Sequence, residues 1–253
     1  MLAAAFLDDP VWTAVGPRRE RHRAITNRLS FWGIVGACSR HRARIRIARR
    51  PAPSPGSTPA GATIALEPGR WPLPEVSLAR GLPWTLAAGP LPLRRGLGID
   101  RALRQAHVAH PHLYLWFIGV DPDLHGAGVG VALMGDLHQH ADELGVPSYL
   151  EASSEPNVGF YERVGYRILA EIEAPSGARI WPMERPPKGE SASTGGRKSG
   201  RNPASDRAWL AVADVRPRAR WHVGVAPAAV RRVRTPREPI VLPAGCTSAA
   251  SSP

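Results

Sequence analysis

Residues 113–144 read LYLWFIGVDPDLHGAGVGVALMGDLHQHADEL, and the fold turns on this stretch. Its first eight residues, Leu113–Val120, are apolar without a break, as in a strand buried on both faces. A helix follows from about Gly128 to Leu144. Its Leu133, Leu137, Ala141 and Leu144 recur at three- and four-residue steps, and Gly145 and Pro147 end it. Between strand and helix lies His125-Gly126-Ala127-Gly128-Val129-Gly130. Three glycines in five positions let backbone amides approach a ligand closely, and the helix start adds unpaired N–H groups and a partial positive charge that suit a phosphate. A turn needing positive φ would read the same, so the loop alone does not establish a ligand. Spacing excludes two other nucleotide sites. A dinucleotide fingerprint needs glycine where Val131 stands, and a P-loop needs a lysine at the helix start.

Working outward, residues 1–31 read as helical, with Asp8 or Asp9 capping a helix that opens at Pro10. In Arg40–Arg50, Ile45 and Ile47 alternate with Arg44 and Arg46 as in a strand. Residues 51–61 form a Pro/Gly/Ser loop, and Ala62–Leu66 reads as the returning strand of a hairpin. The Pro/Gly/Leu-rich stretch 68–98 suggests helical turns, and Gly98–Ala109 a helix. Downstream of residue 144 the pattern predicts a strand at Ser148–Ala152 and a short helix at Asn157–Val164. It then predicts strands at Tyr166–Glu173 and Arg179–Glu184, with Pro182 placing the last at a sheet edge.

The net charge of +12 is unevenly spread. Residues 188–253 hold 12 basic and 4 acidic residues, so most of the excess sits in a Pro/Arg/Ser-rich tail of little periodicity. That tail reads as disordered, with brief helices at Trp209–Val212 and Ala228–Val233. No apolar run is long enough to span a bilayer. Met1–Leu7 lacks the basic start of a signal peptide. Cys38 and Cys246 form no paired motif, which excludes a disulfide framework and fits a cytoplasmic protein. The histidine groups His107, His110, His112 and His138, His140 are completed by no carboxylate or cysteine at metal spacing, so no metal site is expected.

Val120-Asp121-Pro122 and the glycine loop, followed about 30 residues on by Asn157 and Tyr161-Glu162-Arg163-Val164-Gly165-Tyr166, resemble the two motifs of GCN5-related N-acetyltransferases. The resemblance covers roughly 113–184, and Ala5–Trp12 (AFLDDPVW) is similar to the first helix of bacterial members acting on small molecules. His125 stands where the family usually has Gln or Arg, and Asn157 lies closer to Tyr161 than in many members. The resemblance implies an α/β fold of the acyl-CoA N-acyltransferase type: a central mixed β-sheet flanked by helices, with splayed central strands. The domain would cover 1–187, lacking the family's first strand, with 188–253 as the tail.

The same resemblance implies roles. Ile118 and Val120 would offer backbone groups to the pantetheine arm of acetyl-CoA, in a gap between Leu113–Val120 and Ser148–Ala152. His125, Gly126, Ala127, Gly128, Val129 and Gly130 would hold its pyrophosphate. Tyr161 would be the general acid for the leaving thiolate, unless it is a core tyrosine packing its helix. Asn157 either caps that helix or bonds the CoA arm. Glu151, an acid in an otherwise apolar strand, is the candidate base; an outward-facing strand residue or an arginine partner would read the same. The implied reaction is acetyl transfer from acetyl-CoA to a primary amine of a small molecule, by a chain that could pair as a homodimer. The competing reading is a non-catalytic module that binds CoA, or that binds nucleic acid through the basic tail.

Overall fold

A computed structural model describes residues 1–49, 58–73, 90–174, 176–189 and 211–214. All fall in the unit Met1–Pro217. The first helix α1 (Leu2–Ala5) turns at Phe6–Asp8 into α2 (Pro10–Val15). Asp9 makes that turn: its carboxylate accepts from the Val11 and Trp12 amides at 3.0 and 3.1 Å, and Pro10 takes the first helical position. Helix α3 (Glu20–Arg40) braces the corner. Its Arg23 donates to the Leu7 carbonyl at 2.7 Å, and its Asn27 to that of Phe6 at 3.1 Å.

Strands β1 (Arg44–Arg49) and β2 (Pro59–Leu66) form the expected hairpin, with Ile47 opposite Ala62. The alternation in β1 has a purpose. Ile45 is buried, while Arg44 and Arg46 both reach Asp136 on α5 (Val129–Leu144), Arg44 at 3.2 Å. Helix α4 spans Pro90–Ala106, opening before the expected Gly98 and ending before Ala109. The part of the 68–98 stretch at 74–89 lies outside the described residues, as does 228–233.

Strands β3 (Leu113–Val120) and β4 (Ser148–Ala152) follow, with α5 between them and α6 (Glu155–Arg163) after. The sheet order is β5-β7-β4-β3-β2-β1-β8, where β5 is Arg167–Ile168, β7 is Arg179–Arg185 and β8 is Ala211–Asp214; β6 (Ile172–Glu173) also pairs with β7. The β3–β4 pair is parallel and the others are antiparallel.

Two expectations need correction. Pro182 lies in an inner strand, because β7 pairs with β4 on one side and with β5 and β6 on the other. The tolerance has a physical reason. The Pro182 carbonyl accepts from Leu169, and a strand residue points its N–H and C=O the same way. The missing donor therefore faces the gap at 169–171, which is also why Tyr166–Glu173 is two short strands. Second, a piece of the expected tail, Ala211–Asp214, is a strand, pairing with β1 from Arg46↔Asp214 to Arg49↔Ala211.

One sheet face carries Leu113, Leu115, Leu150, Ala152 and Met183 against Met134 and Leu137 of α5 and Tyr161 of α6. Full burial of each such side chain stabilises by roughly 1.5–3 kcal/mol. Gly61 on β2 permits this approach, since a Cβ there would come within 2.8 Å of Val129 and 2.9 Å of Leu133. The other face packs Cys38, Ile45, Ile64, Leu66, Tyr114 and Tyr149. Above it, Trp12 stacks on Phe31 at 4.8 Å, and Phe31 meets Phe117 edge-on at 5.2 Å.

Candidate active site

Strands β3 and β4 pair only at Leu113↔Ser148 and Tyr114↔Tyr149. β3 then runs six residues further with no β4 partner. A bulge gives the cause: against β2, Ile64 faces Phe117 but Ala65 faces Leu115, leaving Trp116 as an extra residue. A bulge bends its strand and increases its twist, so β3 turns away from β4 just past Tyr114. The phase of the β2–β3 ladder then decides what faces the gap. The Asp121 amide donates to Ala60 at 2.9 Å, so Asp121 and every second residue back to the bulge point toward β2. Ile118 and Val120 are out of phase with these, opposite Thr63 and Gly61. Their backbone N–H and C=O groups therefore face the gap.

The glycine loop stands at the mouth of this gap. Gly126 and Gly128 have φ of +76° and +82°, and Gly128 is the N-cap of α5. Both positions favour glycine on backbone grounds alone. The first bond within the helix is Ala132 N–H to Gly128 O at 3.0 Å, so the amides of Val129, Gly130 and Val131 precede the helical ladder. Gly130 lies against Phe160 of α6, where a Cβ would come within 3.3 Å of the ring. Ala127 is half-buried, and the His125 side chain is exposed at the loop's outer side.

Tyr161 packs between Phe160 and Tyr166 with only 7% of its surface exposed. Burial raises its pKa, and the nearby Tyr166 and Asp9 add to this, so it is a neutral phenol. Its helix begins earlier than expected. Glu155 and Pro156 fill the first turn, which tolerates proline, and Ser154 is the N-cap. Asn157 is thus inside the helix and exposed, which corrects its reading as the cap. The Ser153 hydroxyl, one residue past β4, bonds the Asp9 carboxylate and so docks the α1–α2 corner against the end of β4. Sequence reasoning did not find this contact, whose partners lie 144 residues apart.

Glu151 is not outward-facing, and among the described residues it is not paired with an arginine. Its side chain is 7% exposed. It accepts from the Tyr114 hydroxyl at 2.6 Å and faces His107 Nδ1 at 3.3 Å. His107 meets His112 at 3.0 Å, and His110 bonds Glu184 at 2.6 Å. The histidine group thus acquires carboxylate partners that its local spacing did not reveal. Trp71 stacks on His107 at 3.7 Å. The Tyr149 hydroxyl is buried with its pKa raised by that burial and by Glu151. A cavity of about 490 Å³ opens beside this cluster, lined by Glu67, Trp71, Arg104, His107, His112 and Tyr114. Cys38 is fully buried, its thiol pushed up to about 12 by burial, so it is no nucleophile at neutral pH.

A mixed sheet whose parallel central pair parts at one end, with a glycine-capped helix at the opening, is the acyl-CoA N-acyltransferase fold. Residues 96–166 match the model of the acetyltransferase (GNAT) family. A mycothiol acetyltransferase of Propionibacterium freudenreichii subsp. shermanii is 40% identical over 63 residues, which are 24% of this chain and 20% of that protein. The chain therefore matches only a fifth of that relative's length. Among solved structures, one titled histone acetyltransferase HPA2 and related acetyltransferase from Corynebacterium glutamicum shares the fold with a TM-score of 0.53. The identity there is 22%, over 72% of this chain and 85% of that one. Among the described residues no helix is long and apolar enough to cross a membrane.

Proposed function

We propose that the protein transfers an acetyl group from acetyl-CoA to a primary amine of a small molecule. The observation that carries this reading is the parting of β3 from β4 beyond Tyr114, with the Ile118 and Val120 backbone facing the gap and the amides of α5 at its mouth. That arrangement fits the donor: an unpaired strand edge for an amide-bearing arm, and converging N–H groups for a pyrophosphate. Acetyl-CoA would supply an activated acyl group as a thioester. The residues to hold it are Ile118, Val120, Gly126, Ala127, Gly128, Val129 and Gly130, with His125 and Asn157 at the rim.

The chain's own groups would act on both sides of the gap. An alkyl ammonium of pKa ~10.4 must lose a proton before it can attack, which at pH 7 costs about 4–5 kcal/mol. Glu151, on the sheet face opposite Tyr161, would take that proton. Tyr161, held as a phenol, would donate to the departing thiolate. Such a positioned acid or base contributes about 10²–10⁴ in rate, and holding both reactants together supplies much of the rest. The cavity beside Trp71, His107 and Tyr114 is the proposed entry for the acceptor. The mycothiol acetyltransferase relative supports a small-molecule acceptor, and the cysteine usage supports a cytoplasmic setting.

Incubation with acetyl-CoA and a panel of small amines, followed by detection of free thiol, tests the reading. Amine-dependent thiol release is expected. CoA binding without any release would favour the non-catalytic module instead.

A further inference from the structure

The cluster around Glu151 fixes where its hydrogens lie. His112 Nδ1 is 2.7 Å from the His110 carbonyl, which can only accept, so Nδ1 carries a hydrogen. Burial lowers the pKa of the His112 ring, against the bond to the His110 carbonyl, which raises it. The neutral ring is thus favoured, and with its hydrogen on Nδ1 its Nε2 is a lone pair. His107 Nε2 lies 3.0 Å from that lone pair and must donate to it. The remaining nitrogen, His107 Nδ1, faces Glu151 Oε1 at 3.3 Å, while Tyr114 donates to the other carboxylate oxygen. In a singly protonated His107, Nδ1 would be bare and would oppose the carboxylate oxygen Oε1. Both side chains are buried, at 6% and 7% exposure, and an unsatisfied acceptor pair there is strongly unfavourable.

We infer that His107 and Glu151 hold one proton between them, and that this pair, with His112 setting its tautomer, is the acid–base group at the gap rather than Glu151 alone. Other groups face the pair from each packed element. Tyr114 comes from β3 and Tyr149 from β4; His110 comes from the loop before β3, bonded to Glu184 of β7. From α4, Arg104 lies over the Trp71 ring that stacks on His107, and is bonded to Asp100. Arg104 is thus already neutralised, and none of these groups supplies Nδ1 with another partner.

The acid–base role rests on the acetyl-transfer reading; the shared proton does not. In that role the amine nitrogen bonds the acyl carbon and sheds one proton to the pair, as the carbon–sulfur bond breaks and Tyr161 protonates the thiolate. The pair then holds two protons and returns one to water in the cavity that His107 lines. Tyr161 regains its proton from water.

The test is NMR on the full chain with ¹⁵N-labelled histidine and ¹³C-labelled glutamate at neutral pH. The expected result is a doubly protonated His107 or a protonated Glu151, with His112 protonated at Nδ1 only. Glu151→Gln, whose amide can donate to Nδ1, should leave His107 protonated at Nε2 alone. An ionised Glu151 beside a singly protonated His107, or a His112 protonated at Nε2, overturns the inference in the native chain whether or not any variant folds. Kinetics then tests the role separately. His107→Gln should lower kcat at least tenfold and move the pH profile of kcat/KM. An unmoved profile, or a shared proton without thiol release, overturns the acid–base role while the pairing stands.

Discussion

The Tyr114 hydroxyl reaches 2.6 Å to Glu151 across the point where the central strands part. Tyr114 is the last β3 residue paired with β4, and Glu151 is two residues beyond its partner Tyr149. The hydrogen bond anchors a carboxylate at the inner end of the gap. Glu151→Gln should lower kcat for acetyl transfer by about 10²-fold. Tyr114→Phe keeps the carboxylate and loses only its anchor, so its loss in kcat should be smaller, near tenfold. Steady-state kinetics with a saturating amine checks the order, and equal activity of Glu151→Gln and wild type would remove Glu151 from the mechanism.

Tyr161→Phe separates chemistry from packing. Among the described residues the Tyr161 hydroxyl has no hydrogen-bond partner, while its ring is buried among Phe160 and Tyr166. Removing a hydroxyl that holds no partner leaves the ring packing intact and is close to neutral for stability. The expected outcome is a kcat lowered by about 10²-fold with Tm unchanged or raised. A fall in Tm with full activity would mark Tyr161 as a packing residue only.

Gly128→Ala probes the loop. At φ +82° a side chain is strained by about 1–2 kcal/mol. Because the strain sits at the cap of α5, the amides proposed to hold the ligand are the groups displaced. CoA affinity should fall at least tenfold, measured by isothermal titration, while the chain still unfolds cooperatively.

Acid stability should depend on His138. Burial, helped by Arg185, lowers its pKa to about 3 against an ordinary 6.5. Between these values the unfolded chain binds the proton and the folded chain does not, so stability is full above pH 6.5 and falls as pH drops toward 3. Asp142 acts in a different window. Burial pushes its pKa up, but Arg185 at 2.8 Å and the Lys188 amide outweigh this and hold it below 3.8. Its contribution is present above 3.8 and is lost only below. His112, also lowered by burial, titrates in the same direction, so the difference between wild type and His138→Leu in scans of Tm from pH 6.5 to 4 isolates His138. The wild type should lose stability across this range, and His138→Leu should lose less.

What could be read from the residues follows their range of action. Leu113–Val120 and the α5 helix were legible because an unbroken apolar run, a heptad-like stripe and a closing Gly145 are local signals. Asn157 misled because proline is as welcome in the first helical turn as asparagine is at a cap, and Pro156 moved the helix start. Pro182 misled because an inner strand tolerates a missing donor where its neighbour strand is broken. The Glu151–His107 pairing joins residues 44 apart, and no spacing rule connects them until the strands are aligned. Strand β8 has no pattern of its own and is specified by the free edge of β1.

Calorimetric titration of the intact chain with CoA puts the cleft itself on trial. One molecule of CoA should bind per chain. At ~100 times its dissociation constant it should stabilise the fold by about 2.7 kcal/mol. A chain that shows neither heat nor any rise in Tm at millimolar CoA would contradict the account.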